Sequence, residues 1–237
     1  MQNWIKIMID YSFEAWLRDP SRVKAKEVMD WPKEHWHIIR DIWMDLEYEQ
    51  RREVKSGDVV VDCGATVGGF TVKASLQAGE TGQIYAFEPE PDNFSWLKKN
   101  TKQLSNVKIC NKALWNEETT KYLWVVHGYR SGHSLGIRNC SLTERPDFEH
   151  IIKVKTTTID KTVDGPVNFL KLDVEASELN VLQGAIHTIK TYHPFIAVEI
   201  HNEQIYDDVN QFLQQFGYDI IKRKGVEKFT YGTMYYE

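Results

Sequence analysis

From Gly57 onward, short apolar runs alternate with stretches of helical periodicity, the pattern of stacked strand-helix-strand units. VVVD (59–62) reads as a strand, TVKASLQAG (71–79) as a helix closed by Gly79, and QIYAFE (83–88) as the next strand. PDNFSWLKKNTKQL (91–104) follows as a helix whose Asp92 and Asn93 supply cap chemistry, then VKIC (107–110) as a strand. These strands are short and apolar on both faces, as in a parallel sheet covered on both sides. KYLWVV (121–126) and IIKVKTTTI (151–159) are β-branched, alternate in part, and have no helix between them. They predict an antiparallel excursion whose arms flank the glycine-rich loop HGYRSGHSLGI (127–137). Alternation resumes with VNFLKLD (167–173), a helix over 175–190, FIAVEIH (195–201), a helix over 203–216, and strands near 218–222 and 229–235.

Seven main strands result, and the expected fold is α/β, Rossmann-like, with a seven-stranded mostly parallel sheet and helices on both faces. Residues 1–52 stand apart, with five of the eight tryptophans and no glycine. Trp36, Ile39 and Trp43 fall on one helical face. This segment is read as an N-terminal helical extension, and residues 53–237 as the main domain. Asp41, Asp45, Glu47 and Glu49 would be repelled by anionic lipid, so packing onto the main domain is favoured over a membrane surface. The extension is a candidate wall for a substrate pocket.

Composition narrows the functional classes. A net charge of −5 and a pI near 5.9 disfavour extended nucleic acid as a partner. Cys63, Cys110 and Cys140 are odd in number and lack metal-binding spacing. No run of 18 apolar residues occurs, and a cytoplasmic protein without a membrane span is expected. Oligomeric state is left open.

VVVDCGATVGGFT (59–71) carries the chemistry. A parallel strand that runs into glycines and then a helix puts backbone N–H groups at the carboxyl edge of the sheet, where open α/β sheets bind ligands. The P-loop pattern fails because Gly69 is followed by Phe70. The dinucleotide pattern fails because Gly64 and Gly68 stand four apart. An acid at the strand end, Asp62, is joined by Glu88 at the end of the next strand. Two carboxylates suit a ligand with an ammonium group and a ribose bearing free hydroxyls, as in S-adenosylmethionine.

In order and spacing, DCGATVGGFT (62–71), FEPEPDN (87–93), NKAL (111–114), KLDVEASELNVLQGA (171–185) and AVEIH (197–201) resemble the FkbM-type class I S-adenosylmethionine-dependent methyltransferases. The resemblance covers about residues 56–202. It departs from the family pattern at Thr66, where asparagine is usual, and at Ala176, where glycine is usual. It implies that Asp62, Gly64, Ala65, Gly68 and Thr71 surround the methionine end, that Glu88 holds the ribose, and that Asn111, Ala113 and Leu114 border the adenine.

Methyl transfer to a hydroxyl needs alignment and a base near the methyl group. Asp173 ends one strand, Glu175 lies just beyond it, and His201 ends the neighbouring strand, so these three are the candidate catalytic residues. Each has a plainer reading as a helix cap or structural hydrogen bonder. Together they also resemble a metal-binding set, although no metal is assigned. Arg130, His133 and Ser134 in the glycine-rich loop are candidate substrate-binding residues, and the family resemblance extends to a serine-leucine pair at Ser134-Leu135. The expected function is O-methylation of a small molecule, sugar or natural product. The alternatives are N-methylation of a peptide side chain, a nicotinamide-dependent oxidoreductase, and a non-catalytic scaffold.

Overall fold

The computed structural model describes residues 42–43, 47–126, 135, 148–200, 202–221 and 232–237. Its elements in chain order are β1 (Val59–Cys63), α1 (Gly69–Ala78), β2 (Gln83–Phe87), α2 (Pro91–Thr101), β3 (Val107–Cys110), β4 (Ala113–Leu114), β5 (Thr120–Val126) and β6 (Phe148–Thr157). There follow α3 (Ile159–Thr162), β7 (Phe169–Leu172), α4 (Glu178–Gln183), α5 (Ile186–Tyr192), β8 (Phe195–Ile200), α6 (Glu203–Gln214), β9 (Ile220–Ile221) and β10 (Gly232–Tyr236). The main sheet has seven strands in the order β3-β2-β1-β7-β8-β10-β9. β10 is antiparallel to β8, whereas β1, β2, β3, β7 and β8 run parallel. The α/β reading with a mostly parallel seven-stranded sheet therefore holds.

The order reverses at β1, which lies between β2 and β7, and this is where doubly wound sheets open a crevice. Side chains alternate between the two faces along each strand. Val60, Phe169 and Phe195 face α1, while Val61, Leu170 and Ile196 face the side covered by α4, α5 and α6. On the α1 face an aromatic row, Phe70–Phe169–Phe195–Tyr235, has centroid spacings of 5.7, 5.3 and 6.0 Å. Such rings attract beyond their burial. The large aliphatics of both faces are fully enclosed, and each contributes roughly 1.5–3 kcal/mol.

The middle excursion is a separate three-stranded sheet in the order β4-β6-β5. β5 and β6 pair antiparallel, as expected, and short β4 pairs parallel with β6. Leu135 packs on Ala113, Leu123 and Val154 of this sheet.

Two expectations are corrected. The helix over 175–190 is two helices, α4 and α5, divided by Asp160: its N–H donates to the Gly184 carbonyl at 3.1 Å, and its carboxylate accepts the N–H groups of His187 and Thr188 at 2.8 and 2.9 Å, capping α5. The cap of α2 is Glu90, whose carboxylate accepts the Asn93 N–H at 2.6 Å, with Pro91 at the first helical position. Asp92 sits in the first turn, and Asn93 receives the cap instead of providing it.

Candidate active site

The chain leaves β1 through Gly64 at φ 77°, Thr66 at φ 53° and Gly68 at φ 98°. A Cβ on Gly64 would sit 1.9 Å from the carbonyl oxygen of Asp173, so the turn lies directly on the end of β7. The Gly64 and Ala65 N–H groups both donate to the Phe87 carbonyl, at 3.1 and 3.0 Å. Thr66 N–H donates to Glu88 Oε2 at 2.8 Å, and Glu90 N–H to Glu88 Oε1 at 2.9 Å. Glu88 is thereby held at the sheet edge, between the turn and the start of α2. Burial pushes its pKa up to about 8, against the pull of those two backbone hydrogen bonds.

Alternation places Asp62, Lys171, Asp173 and Glu199 toward the same face as Val60, Phe169 and Phe195, at the end of the sheet where the apolar row gives way to charge. Asp62 and Lys171 are register partners across β1 and β7. The Lys171 ammonium lies 3.1 Å from Asp62 and 3.8 Å from Asp173, and donates to the Gly64 carbonyl at 2.7 Å. Burial alone would lower its pKa, but the Asp62 and Asp173 carboxylates outweigh burial and hold it above the ordinary lysine value. Asp62 is fully buried and accepts the Thr71 hydroxyl at 2.6 Å with its other oxygen.

Tyr48 closes the α1 face of the site. Its ring meets Phe70 edge-on at 5.5 Å, and the Lys171 ammonium lies 5.1 Å from its centroid. Its two chain neighbours are both held: Tyr235 donates to the Glu47 carbonyl, and the Glu49 carboxylate pairs with Lys73 of α1. The Tyr48 hydroxyl donates to Asp173 Oδ2 at 3.0 Å and lies 3.4 Å from Glu199 Oε2. Glu199 is raised well above the carboxylate range, first by the neighbouring Asp173 and then by burial and Glu47.

Two cavities flank this centre. One, of about 60 Å³, is bounded by Glu88, Phe87, Ala113, Leu114, Leu123 and Leu135. The other, of about 190 Å³, is bounded by Ile42, Glu47, Tyr48, Ala65, Phe70, Lys171 and Glu199. Gly64, Thr66, Asp173 and Glu175 line both and form the junction between them.

The sequence-derived residues thus occupy distinct positions. Glu88, Ala113 and Leu114 line the smaller cavity, Ala65 the larger one, and Gly64, Asp173 and Glu175 their junction. Asp62 and Thr71 bond one another beneath the turn, and Gly68 packs against Leu97. Asn111 donates to the carbonyls of Glu88 and Pro89 at 2.8 and 3.2 Å, which fixes the β2–α2 loop. The helix-cap reading of Asp173 and Glu175 does not hold, because the α4 N-cap is Ser177. His201, Arg130, His133 and Ser134 lie outside the described residues. Among the described residues no group of three or more His, Cys, Asp or Glu side chains is arranged to hold a metal ion. No described helix is long and apolar enough to cross a membrane.

Sequence reasoning missed Lys171, Glu199 and Tyr48. The first two carry a legible signal, since a charged residue inside the buried strands FLKL and FIAVEI needs a buried partner. Tyr48 carries none, because only the tertiary fold brings it to β7 and β8.

Residues 62–220 match the family described as Methyltransferase FkbM domain. The chain is 24% identical over 225 residues to hexuronic acid methyltransferase AglP of Haloferax volcanii, covering 91% of this chain and 86% of that protein. It is 27% identical over 176 residues to 31-O-demethyl-FK506 methyltransferase FkbM of Streptomyces tacrolimicus, covering 62% and 67%. Its fold matches the crystal structure of methyltransferase FkbM from Methylobacillus flagellatus with a TM-score of 0.56 at 15% identity, over 92% of this chain and 58% of that one. The chain belongs to the FkbM methyltransferase family, and it is a methyltransferase whose cofactor is S-adenosylmethionine.

Proposed function

We propose that the protein methylates a hydroxyl group on a sugar or another small molecule, with the cofactor's adenosine in the smaller cavity and the acceptor in the larger one. The observation that carries this reading is the junction. Gly64, Thr66, Asp173 and Glu175 line both cavities, so a group passed from one to the other passes beside Asp173.

The residues fit the cofactor. Phe87, Ala113, Leu114 and Leu123 offer an apolar slot for a purine, and Glu88, whose oxygens each keep a lone pair beyond the backbone bonds, accepts from ribose hydroxyls at its rim. Lys171 and Asp62 hold the turn on which the methionine portion would lie. When bound, S-adenosylmethionine supplies a methyl group on a sulfonium that carries its own leaving group. The chain's task is then to orient the acceptor, exclude water and receive one proton, for which Asp173 is the assigned base and Glu175 the flanking carboxylate.

Acceptor chemistry follows the relatives. One is named for a hexuronic acid and the other for a 31-O-demethyl compound, which favours oxygen over nitrogen. The net charge of −5 favours a compact acceptor over an extended nucleic acid. Ile42, Glu47 and Tyr48 in the wall of the larger cavity support the N-terminal extension (1–52) as a substrate wall. Arg130, His133 and Ser134 are proposed as acceptor contacts, and His201 as a second proton-handling group.

The test is transfer of labelled methyl from S-adenosylmethionine to a panel of sugars, hydroxylated small molecules and amine-bearing peptides. Label on a hydroxyl supports the reading, and label only on peptide nitrogen replaces it. Asp173→Asn is expected to lower kcat by about 10²- to 10⁴-fold while S-adenosylhomocysteine binding is retained.

A further inference from the structure

Tyr48 offers one hydroxyl to two carboxylates, Asp173 Oδ2 at 3.0 Å and Glu199 Oε2 at 3.4 Å. A phenol has a single hydrogen to donate. The shorter contact takes that hydrogen to Asp173. The longer contact is favourable only when Glu199 carries a proton of its own, because two bare carboxylates flanking one phenol oxygen repel each other.

The surrounding charges act in the same direction. Glu47 raises Glu199 from the N-terminal side, and Glu178 of α4 is electrostatically coupled to Asp173. Glu175 shares the cavity wall with Asp173. Lys171 faces the pair from β7, 3.8 Å from Asp173, but it lies closer to Asp62 of β1, at 3.1 Å. Burial raises the Tyr48 phenol, followed by Asp173, Glu199 and Glu47, so it stays a donor.

We infer that Tyr48 and Glu199 are positioning residues for methyl transfer: Glu199 holds a proton beside Asp173, and Tyr48 fixes Asp173 as the ionised member of the pair, facing the junction of the two cavities. The inference rests on the methyl-transfer reading above. In the step it serves, a lone pair on the acceptor oxygen would bond the methyl group that S-adenosylmethionine supplies, the C–S pair would stay on sulfur, and Asp173 would take the hydroxyl proton, leaving the O–H pair on oxygen.

Three variants test the inference. E199Q keeps a side-chain hydrogen to donate but has nothing to titrate. It is expected to keep kcat within a few-fold at neutral pH, and to lose the alkaline fall in rate that the wild type shows when Glu199 ionises. E199A and Y48F are expected to lower kcat by roughly ten- to a hundredfold, with the KM for S-adenosylmethionine unchanged. An infrared difference spectrum of the protein with S-adenosylhomocysteine gives a readout that needs no acceptor. Wild type minus E199Q should show the carbonyl stretch of one protonated carboxylic acid at neutral pH. Absence of that band overturns the inference, as does an E199Q variant as damaged as E199A. Loss of S-adenosylhomocysteine binding, or no methyl transfer to any acceptor, would instead count against the methyltransferase reading, which separates the two failures.

Discussion

Lys171 and Asp62 are register partners on adjacent parallel strands, 3.1 Å apart, with side chains 4% and 0% exposed. A charged pair buried between adjacent strands is costly to desolvate, and removing one member leaves the other uncompensated. Lys171→Met is therefore expected to destabilise the protein by about 3–5 kcal/mol in urea unfolding. The double variant Lys171→Met/Asp62→Asn should recover part of that loss, because no bare charge remains. A Lys171→Met cost below about 1 kcal/mol would mean that water reaches Asp62.

This pair also marks the limit of what the chain's pattern shows. The strands VVVD and FLKL, the turn between Gly64 and Gly68, and the acid at Glu88 are all legible, because period, length and glycine spacing are local properties. Asp62 reads as a ligand contact for the same reason: its charge is visible at the strand end, but the lysine that neutralises it is 109 positions away and meets it only through strand order. The continuous helix expected over 175–190 is divided by a partner that is likewise distant in sequence. The pattern is helical throughout, and the break comes at Gly184 because Asp160, 24 positions earlier in the chain, takes the Gly184 carbonyl with its N–H and caps α5 with its carboxylate.

Glu88 links cofactor affinity to pH. Its pKa is raised from 4.5 to about 8, so at neutral pH much of it is protonated in the free protein. A carboxylate accepts hydrogen bonds from ribose hydroxyls with both oxygens, whereas the acid form gives up part of that capacity. Affinity for S-adenosylhomocysteine should rise as pH passes through about 8, and Glu88→Gln should bind more weakly with a flat profile. Stability runs the other way. The folded pKa lies above the unfolded one, so the protonated group's contribution is complete below about 4.5 and is lost as pH climbs to about 8. Calorimetric titration and thermal unfolding from pH 5 to 9 separate the two effects, and an unchanged affinity in Glu88→Gln would remove the ribose assignment.

Gly64 couples the turn to β7. At φ 77°, with a would-be Cβ 1.9 Å from the Asp173 carbonyl oxygen, Gly64→Ala must displace either the turn or the strand end. A loss of at least about 1–3 kcal/mol is expected. Because the same shift moves Asp173, turnover should fall further than global stability predicts. Retained turnover in a destabilised but folded Gly64→Ala protein would show that the junction tolerates movement.

Thr66 and Ala176, the two departures from the family pattern, both occupy left-handed backbone, at φ 53° and 76°. Asparagine and glycine tolerate that region far better than a β-branched residue or alanine, which explains the family's usual choices without any contact to a ligand. A non-glycine residue held there costs on the order of 1–3 kcal/mol. Thr66→Asn with Ala176→Gly should therefore stabilise the protein by about 1–2 kcal/mol, partly offset at 176 by the greater unfolded-state freedom of glycine. For a chain of this size the gain corresponds to a rise in Tm of roughly 2–8 °C. The Thr66 N–H that holds Glu88 at 2.8 Å is a backbone group and survives the change, so S-adenosylhomocysteine affinity should be unaltered. Weaker binding by Thr66→Asn at equal or higher Tm would instead give the threonine side chain a role in tuning the cofactor, and a lower Tm would mean that its methyl or hydroxyl makes contacts that outweigh the strain.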